Sequence, residues 1–560
     1  MGRIVPALAL LALLAAPAAQ AADTARFDWL DYRGSDPADA IARPEPGEYR
    51  NPILSGYYPD PSITQVGEDY YLVNSTFAWF PGIPVFHSRD LVNWTQVGNA
   101  IDRPTQLDFK ALGLSRGVFA PAIEHHDGTF YIINTCVDCG GNFIITARDP
   151  KGPWSDPVWL PDLEGGIDPS IFFDTDGRAW IVNNGPPVGE PLYQGHRAIW
   201  VQEFDAKAMK TIGPRSVLVN GGVDISKKPI WIEGPHLFRK DGFVYLIAAE
   251  GGTAINHSQV VLRGPSPTGP FTPNPSNPIL TQRDLPADRP HPVTSAGHAD
   301  FVVTPQGDWW ATFLAVRPYG DDLYNTGRET FLMPVRWVDG WPRLTDPGQA
   351  IPLTHAKPTL PPQPAPPMPT SGPFQVRDEF DAAALPMHWM TPRNPKGDWY
   401  ALDKGALALR LLPVGLSDHG HPAFWARRQQ HRDAVVETAL RFIPDRPGER
   451  AGLAAIQSDD YWFRFTIERE GHGIVARVAM RDGKEKPADG KVLATLAVPP
   501  TGPYRLRITA RGGEYDFHVA GPGQDWRPVL TGADGTILST KKAGGFVGTM
   551  IGPFAQGVGK

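Results

Sequence analysis

The chain has 560 residues, more than one hydrophobic core normally serves, so two or more domains are expected. Its 53 Lys and Arg against 60 Asp and Glu leave a net charge of −7, which argues against a nucleic-acid partner. Composition is otherwise that of an ordinary globular protein, apart from abundant Gly and Pro (58 and 60) and 17 Trp.

The first residues, MGRIVPALALLALLAAPAAQAAD, carry one positive charge, an apolar run and the small-residue site Ala19-Gln20-Ala21. This reads as a secretory signal over residues 1–22, too short and wrongly flanked for a membrane span. No second long apolar run follows, so the mature chain is expected to be exported and soluble, in the periplasm or outside the cell, with no membrane partner. The two cysteines, Cys136 and Cys139, lie in NTCVDCGGNF. A zinc site needs a second ligand cluster, and none is present. A thioredoxin-type motif needs the first Cys at a helix start, whereas the flanks TFYIIN and NFIITA read as strands. A local disulfide or two inert thiols remain.

DPSI occurs twice, at 60–63 and 168–171, and a second phrase recurs around it. VGEDYYLVN, HDGTFYIIN, TDGRAWIVN, KDGFVYLIA and PQGDWWATF each place a Gly turn before an aromatic-rich strand, with turn glycines Gly67, Gly128, Gly177, Gly242 and Gly307. Upstream of each turn stands a short strand: DPSI, APAI, DPSI, GPHL and HADF. These are led by Asp60, Ala120, Asp168, Glu233 (the residue just before GPHL) and His298. Five β-rich repeats with almost no helical periodicity predict a five-bladed β-propeller over 45–355, whose innermost strands line a central channel. Asp60, Asp168 and Glu233 then face one another in one pocket, with His298 beside them.

An isolated Asp before Pro is usually a turn cap. Three acids at matching repeat positions point instead to tuned carboxylates, because burying several together is costly. Two carboxylates across a glycosidic bond suffice for its hydrolysis, one as acid and one activating water or attacking, and a third nearby can hold the acid protonated. Tyr57, Tyr58, Phe77, Trp79, Phe119 and Trp231 supply flat apolar faces for sugar rings near the acids. Metal binding is the rival use of Asp, Glu and His, though catalytic zinc normally shows a more compact His-rich set.

The segments NPILSGYYPDPSI, STFAWFPGIPVFHSRDLVNW, GIDPSIFFDTDG, EGPHLFRKDG, AEGGT, GHADFV and GRETFLMPV together resemble glycoside hydrolase family 43, closest to its β-xylosidase and α-L-arabinofuranosidase members. The resemblance runs from about residue 50 through nearly the whole chain. It implies Asp60 as general base, Glu233 as general acid and Asp168 as the residue that orients the acid and tunes its pKa, in a reaction that inverts the anomeric centre. It further implies that Arg328 contacts sugar hydroxyls, Phe77 walls the terminal-sugar subsite and Thr253 offers a hydroxyl near the acid. His298 resembles the channel histidine that in many members helps hold a calcium ion or a water; no cofactor is otherwise implied. Phe119 and Ile167 stand where many or some relatives have Trp and Phe, which alters the aromatic wall of the substrate site. The implied substrate is a xylo-oligosaccharide or an arabinoxylan-derived chain, trimmed from its end. Fructan-cleaving enzymes share the blades and acids but not these motifs, and a silent sugar-binding protein has no use for a tuned acid and base.

The Pro-rich run 356–372 reads as a semi-rigid linker. Beyond it AVVETALRFI, YWFRFTIERE, GIVARVAMRD, PYRLRITARG and YDFHVAG alternate polar with apolar residues, predicting an antiparallel β-sandwich over 373–560. RDEFD, WARRQQH and GGFVGTMIGPFA resemble the concanavalin-like domain that accompanies these enzymes. The resemblance implies that it packs on the propeller and narrows the pocket, rather than serving as a separate binding module. Phe546, in the last of those runs, carries no assigned place at the pocket.

Overall fold

The computed structural model describes residues 23–163 and 165–559; the leader read at residues 1–22 lies outside them. Five antiparallel sheets follow one another around an axis. The first comprises Ser62–Val66, Asp69–Val73, Gly82–Ser88 and Thr95–Ile101. The second comprises Ala122–His126, Thr129–Val137, Gly141–Ala147 and Val158–Trp159, with Gly117–Val118 extending its inner side. The third runs Ile167–Phe173, Ala179–Gly185, Ala198–Asp205 and Lys210–Asn220. The fourth begins Glu233–Lys240, Phe243–Glu250 and Ser258–Gly264, and the fifth is Thr294–Val303, Trp309–Val316 and Glu329–Pro334. All five turn glycines have positive φ, between 64° and 89°, a conformation that glycine adopts at no backbone cost.

Each pair of neighbouring blades shares one apolar core. Val85 and Ile132 join the first and second, Ile133 and Ile181 the second and third, and Val201 and Leu246 the third and fourth. Ile247 and Phe313 join the fourth and fifth, and Trp310 and Leu72 close the ring. The fifth sheet has only three strands of its own, and the segment before the first blade completes it. Leu54 bridges Thr330, and the Asn51 side chain donates to Leu332 O at 2.8 Å while accepting from Leu332 N at 2.9 Å. A side-chain amide thus stands in for one peptide of the missing strand.

The sandwich is two sheets around a separate core of residues such as Phe463, Phe465, Leu506 and Phe517. One sheet orders Tyr400–Leu402, Leu407–Arg410, Thr24–Ser35, Asp433–Arg441, Tyr504–Arg511, Glu514–Ala520 and Arg527–Asp534. Its third strand comes from the opposite end of the chain and corrects the domain plan read from sequence. Thr24–Ser35 buries Phe27, Leu30 and Tyr32 in the sandwich, so the chain enters that domain, builds the propeller and then returns. The Pro-rich run is also no free spacer. Ser55 N donates to Thr370 O (2.8 Å), Ser371 Oγ to Pro52 O (2.6 Å) and Gln363 Nε2 to Asn93 O (2.5 Å), which pins it to the first blade and to the segment before it.

Cys136 and Cys139 form a disulfide, closing the turn between the second and third strands of the second blade.

A further apolar cluster joins the domains, with Tyr57, Phe77 and Trp79 of the propeller packed against Phe424, Ile456 and Phe554 of the sandwich. Thr549 N donates to Asn325 O at 2.8 Å, and Arg428 Nε donates to Tyr57 O at 2.5 Å. Gly548 and Gly327 approach so closely that a Cβ on Gly327 would meet the Gly548 Cα at 2.9 Å. These contacts bring the sandwich to the same end of the propeller as the acids.

Candidate active site

The inner strands begin with a recurring backbone device. Asp60, Asp168 and His298 have left-handed φ of 51°, 51° and 53°, and Gly234 has 55°. In the third, fourth and fifth blades the pairing skips a residue at the same place, between Ile167 and Ser170, Glu233 and His236, and Gly297 and Asp300. Such a bulge re-aims side chains, and strained backbone of this kind clusters at functional sites. It also corrects the alignment of the repeats: the partner of Asp168 and His298 in the fourth blade is Gly234. Glu233 occupies the register of Ile167 and Gly297, one residue earlier. Glycine is required at 234 because a Cβ there would meet the His298 ring at 2.7 Å.

The strands are stitched beneath the site. Ser62 Oγ donates to Asp300 Oδ2 (2.7 Å) and accepts from Ile123 N (3.0 Å), while Ser170 Oγ donates to Pro235 O (2.6 Å). These bonds link neighbouring blades, so the side chains above them converge.

They converge on a cavity of about 570 Å³, within the usual small-ligand range of about 300–1,000 Å³. Asp60, Asp168, Glu233, Phe77, Phe119, Ile167, Thr253, His298 and Arg328 all line it, as does Trp231, whereas Tyr57, Tyr58 and Trp79, expected to offer faces to sugar rings, are buried in the core and do not. Asp60 accepts from Ser75 Oγ at 2.6 Å and from Arg328 Nη1 at 2.9 Å, with His298 Nδ1 at 3.7 Å from its Oδ1. Glu233 is treated differently. Burial first, and then the charge of Asp60, push its carboxyl up to about 7, against the pull of Arg328 and Arg197. Asp168 is raised well above the carboxylate range by burial first and then by Glu233 and Asp60, against Arg328 and a hydrogen bond from Gly234 N–H. Burial holds the His298 imidazole down to about 4, against the charge of Asp60.

The charge that opposes ionisation of Glu233 is therefore that of Asp60, behind burial. Asp168 shares this burial with Glu233, and the charges of Glu233 and Asp60 raise its carboxyl further.

A metal fits poorly. Among the described residues no group of three or more His, Cys, Asp or Glu is placed to hold one. His298 shares its neighbourhood with the Arg328 cation, whereas calcium takes six to eight oxygens.

The aromatic wall is partly supplied by the sandwich. Phe546 stacks on Phe77 (centroids 5.6 Å, 19°), meets Phe119 edge-on at 5.7 Å and lies 5.3 Å from the Arg328 guanidinium. Its N–H donates to Ser115 Oγ at 3.0 Å, which anchors it to the propeller. Three cavity residues escaped the sequence reading: Arg116, Val137 and Arg197. Nothing in GHRAIW marks Arg197 as special, because no repeat position or motif contains it.

Residues 49–342 match the family description "Glycosyl hydrolases family 43", and 377–560 match "Beta xylosidase C-terminal Concanavalin A-like domain". The chain belongs to glycosyl hydrolase family 43. It is a glycoside hydrolase. It is 36% identical over 517 residues to a Butyrivibrio fibrisolvens protein named "Xylosidase/arabinosidase", covering 91% of this chain and 96% of that one. It is 36% identical over 522 residues to the "Non-reducing end alpha-L-arabinofuranosidase BoGH43B" of Bacteroides ovatus, covering 91% and 92% of the two chains. Among solved structures, a family member retrieved from a capybara gut metagenome superposes with a TM-score of 0.87 at 36% identity, covering 95% of this chain and 99% of that one.

Proposed function

We propose that this family 43 hydrolase removes single terminal β-1,4-xylose or α-L-arabinofuranose residues from xylan-derived oligosaccharides, with inversion. The observation that carries this reading is the split between two carboxyls in one cavity. Asp60 is held by a guanidinium and a hydroxyl, whereas Glu233 is pushed up to about 7 without a paired cation. A carboxylate paired with a cation, facing a buried carboxyl whose proton is held, is an arrangement of base and acid. Asp60 takes a proton from the attacking water as Glu233 gives one to the glycosidic oxygen. Arg328 lines the cavity beside Asp60, and Phe77, Phe119 and Phe546 form the apolar wall against the ring.

Relatives named for xylosidase and for arabinofuranosidase activity support both sugars equally. Hydrolysis of 4-nitrophenyl β-xyloside and α-L-arabinofuranoside ranks them. Proton NMR of the first-formed sugar should record the inverted anomer; a retained anomer would show that an enzyme carboxylate attacks the sugar.

Asp168 is the positioning residue of the acid. If it acts by position alone, Asp168→Asn should lower kcat yet leave the basic limb of kcat/KM near 7, because the limb reports Glu233 losing its proton. A limb that moves clearly to lower pH would mean Asp168 is ionised and acts by repulsion.

Export belongs to this reading as well. The disulfide suits an oxidising compartment, and N-terminal sequencing of the mature protein should find residues 1–22 removed.

A further inference from the structure

We propose that Trp231, braced by Arg197, is the platform on which the departing sugar ring rests, so that this pair sets the preference for what lies beyond the cleaved bond. The proposal rests on the reading of Glu233 as the acid and names a second part of the same cavity.

The cavity has two unlike walls. The inner one is the cluster of Phe77, Phe119 and Phe546 around Arg328 and Asp60, with Phe77 only 1% exposed. A ring held there is enclosed, as the terminal sugar of an exo enzyme must be. Trp231 lies apart. It lines the same cavity but makes no ring contact with that cluster among the described residues, and it is 38% exposed. It also stands two residues before Glu233, so the indole and the proton donor leave one short segment. A group protonated by Glu233 departs outward, past Trp231.

The indole is held for this purpose rather than merely left uncovered. Its backbone is left-handed at φ 49°, rare for a bulky residue, and is pinned by Trp231 N donating to Gly195 O at 2.9 Å. The preceding carbonyl, Ile230 O, accepts from Gly251 N (2.8 Å) and Gly252 N (3.2 Å). Arg197 lies over the ring, its guanidinium carbon 5.0 Å from the centroid. That guanidinium is itself fixed by two bonds to Asn184 Oδ1 (2.9 and 2.6 Å) and one to Gly165 O (2.8 Å). The amide of Asn184 turns its other end to Ile232 O at 2.6 Å, the peptide next to Glu233. One side chain thus ties the platform to the acid. A rigid, half-exposed indole binds the apolar face of a pyranose or furanose ring at little entropic cost.

The test compares xylobiose, whose leaving group is a sugar ring, with β-D-xylopyranosyl fluoride, whose leaving group has none. Trp231→Ala should lower kcat/KM on xylobiose by about 10- to 100-fold and on the fluoride far less, with Trp231→Phe in between. Equal losses on both substrates would place Trp231 at the terminal sugar or in folding and overturn the proposal, as would an unchanged rate on xylobiose. Failure of the functional reading itself is separable, because the wild-type enzyme would then cleave no xyloside or arabinofuranoside.

Discussion

Glu233→Gln should cut hydrolysis of xylobiose by about 10²–10⁴-fold while sparing 4-nitrophenyl xyloside to a large extent. Glutamine keeps the size of the side chain and cannot give up a proton as an acid. A departing xylose alkoxide needs that proton, whereas nitrophenolate is stable without it. The pH dependence has a definite sign. Glu233 acts only when protonated, and burial with the charge of Asp60 pushes its carboxyl up to about 7. Wild-type activity on xylobiose is therefore present below that value and lost as pH rises through it, and in Glu233→Gln this limb should vanish from the nitrophenyl reaction. Equal damage to the two substrates would remove Glu233 from the role of acid.

Asp60→Asn should slow both substrates alike, by about 10²–10⁴-fold if activation of water is the whole loss. No leaving group escapes the need for a nucleophile, so the ratio between the substrates should stay near that of the wild type. The substitution also strips Arg328 of its charge partner at 2.9 Å in a buried setting, which should lower the melting temperature. Steady-state rates on the two substrates together with a thermal melt separate these effects. A variant that keeps its rate on nitrophenyl xyloside would show that Asp60 does not activate water.

The blades were readable because each repeat carries its own local chemistry. A turn glycine before an aromatic strand declares itself within ten residues, as Gly67 and Gly242 do, and the alternation in YWFRFTIERE marks a half-buried strand without help from elsewhere. What belongs to one blade or one strand is written in consecutive residues. The motifs around Asp60, Asp168 and Glu233 were legible for the same reason: each lies at one strand start.

Features that join distant residues were not legible. Thr24–Ser35 enters a sheet built by residues near 435 and 375, and no property of TARFDWLDYRGS names those partners. Phe546 reaches Phe77 across the interface between the domains, a meeting that depends on the close approach of Gly327 to Gly548. Arg197 becomes part of the cavity only because Asn184 and Gly165 hold it against the Trp231 ring.

The sequence by itself determined the repeated β units, the two-domain plan and the acids that lead the inner strands, since each rests on side-chain period and turn chemistry over a few residues. Only the tertiary structure decided which residue of EGPH matches the aspartates, because a bulge is a property of two paired strands. It alone also decided how the acids differ, because burial and the distances to Asp60, Arg328 and Arg197 exist only once the blades close into a ring.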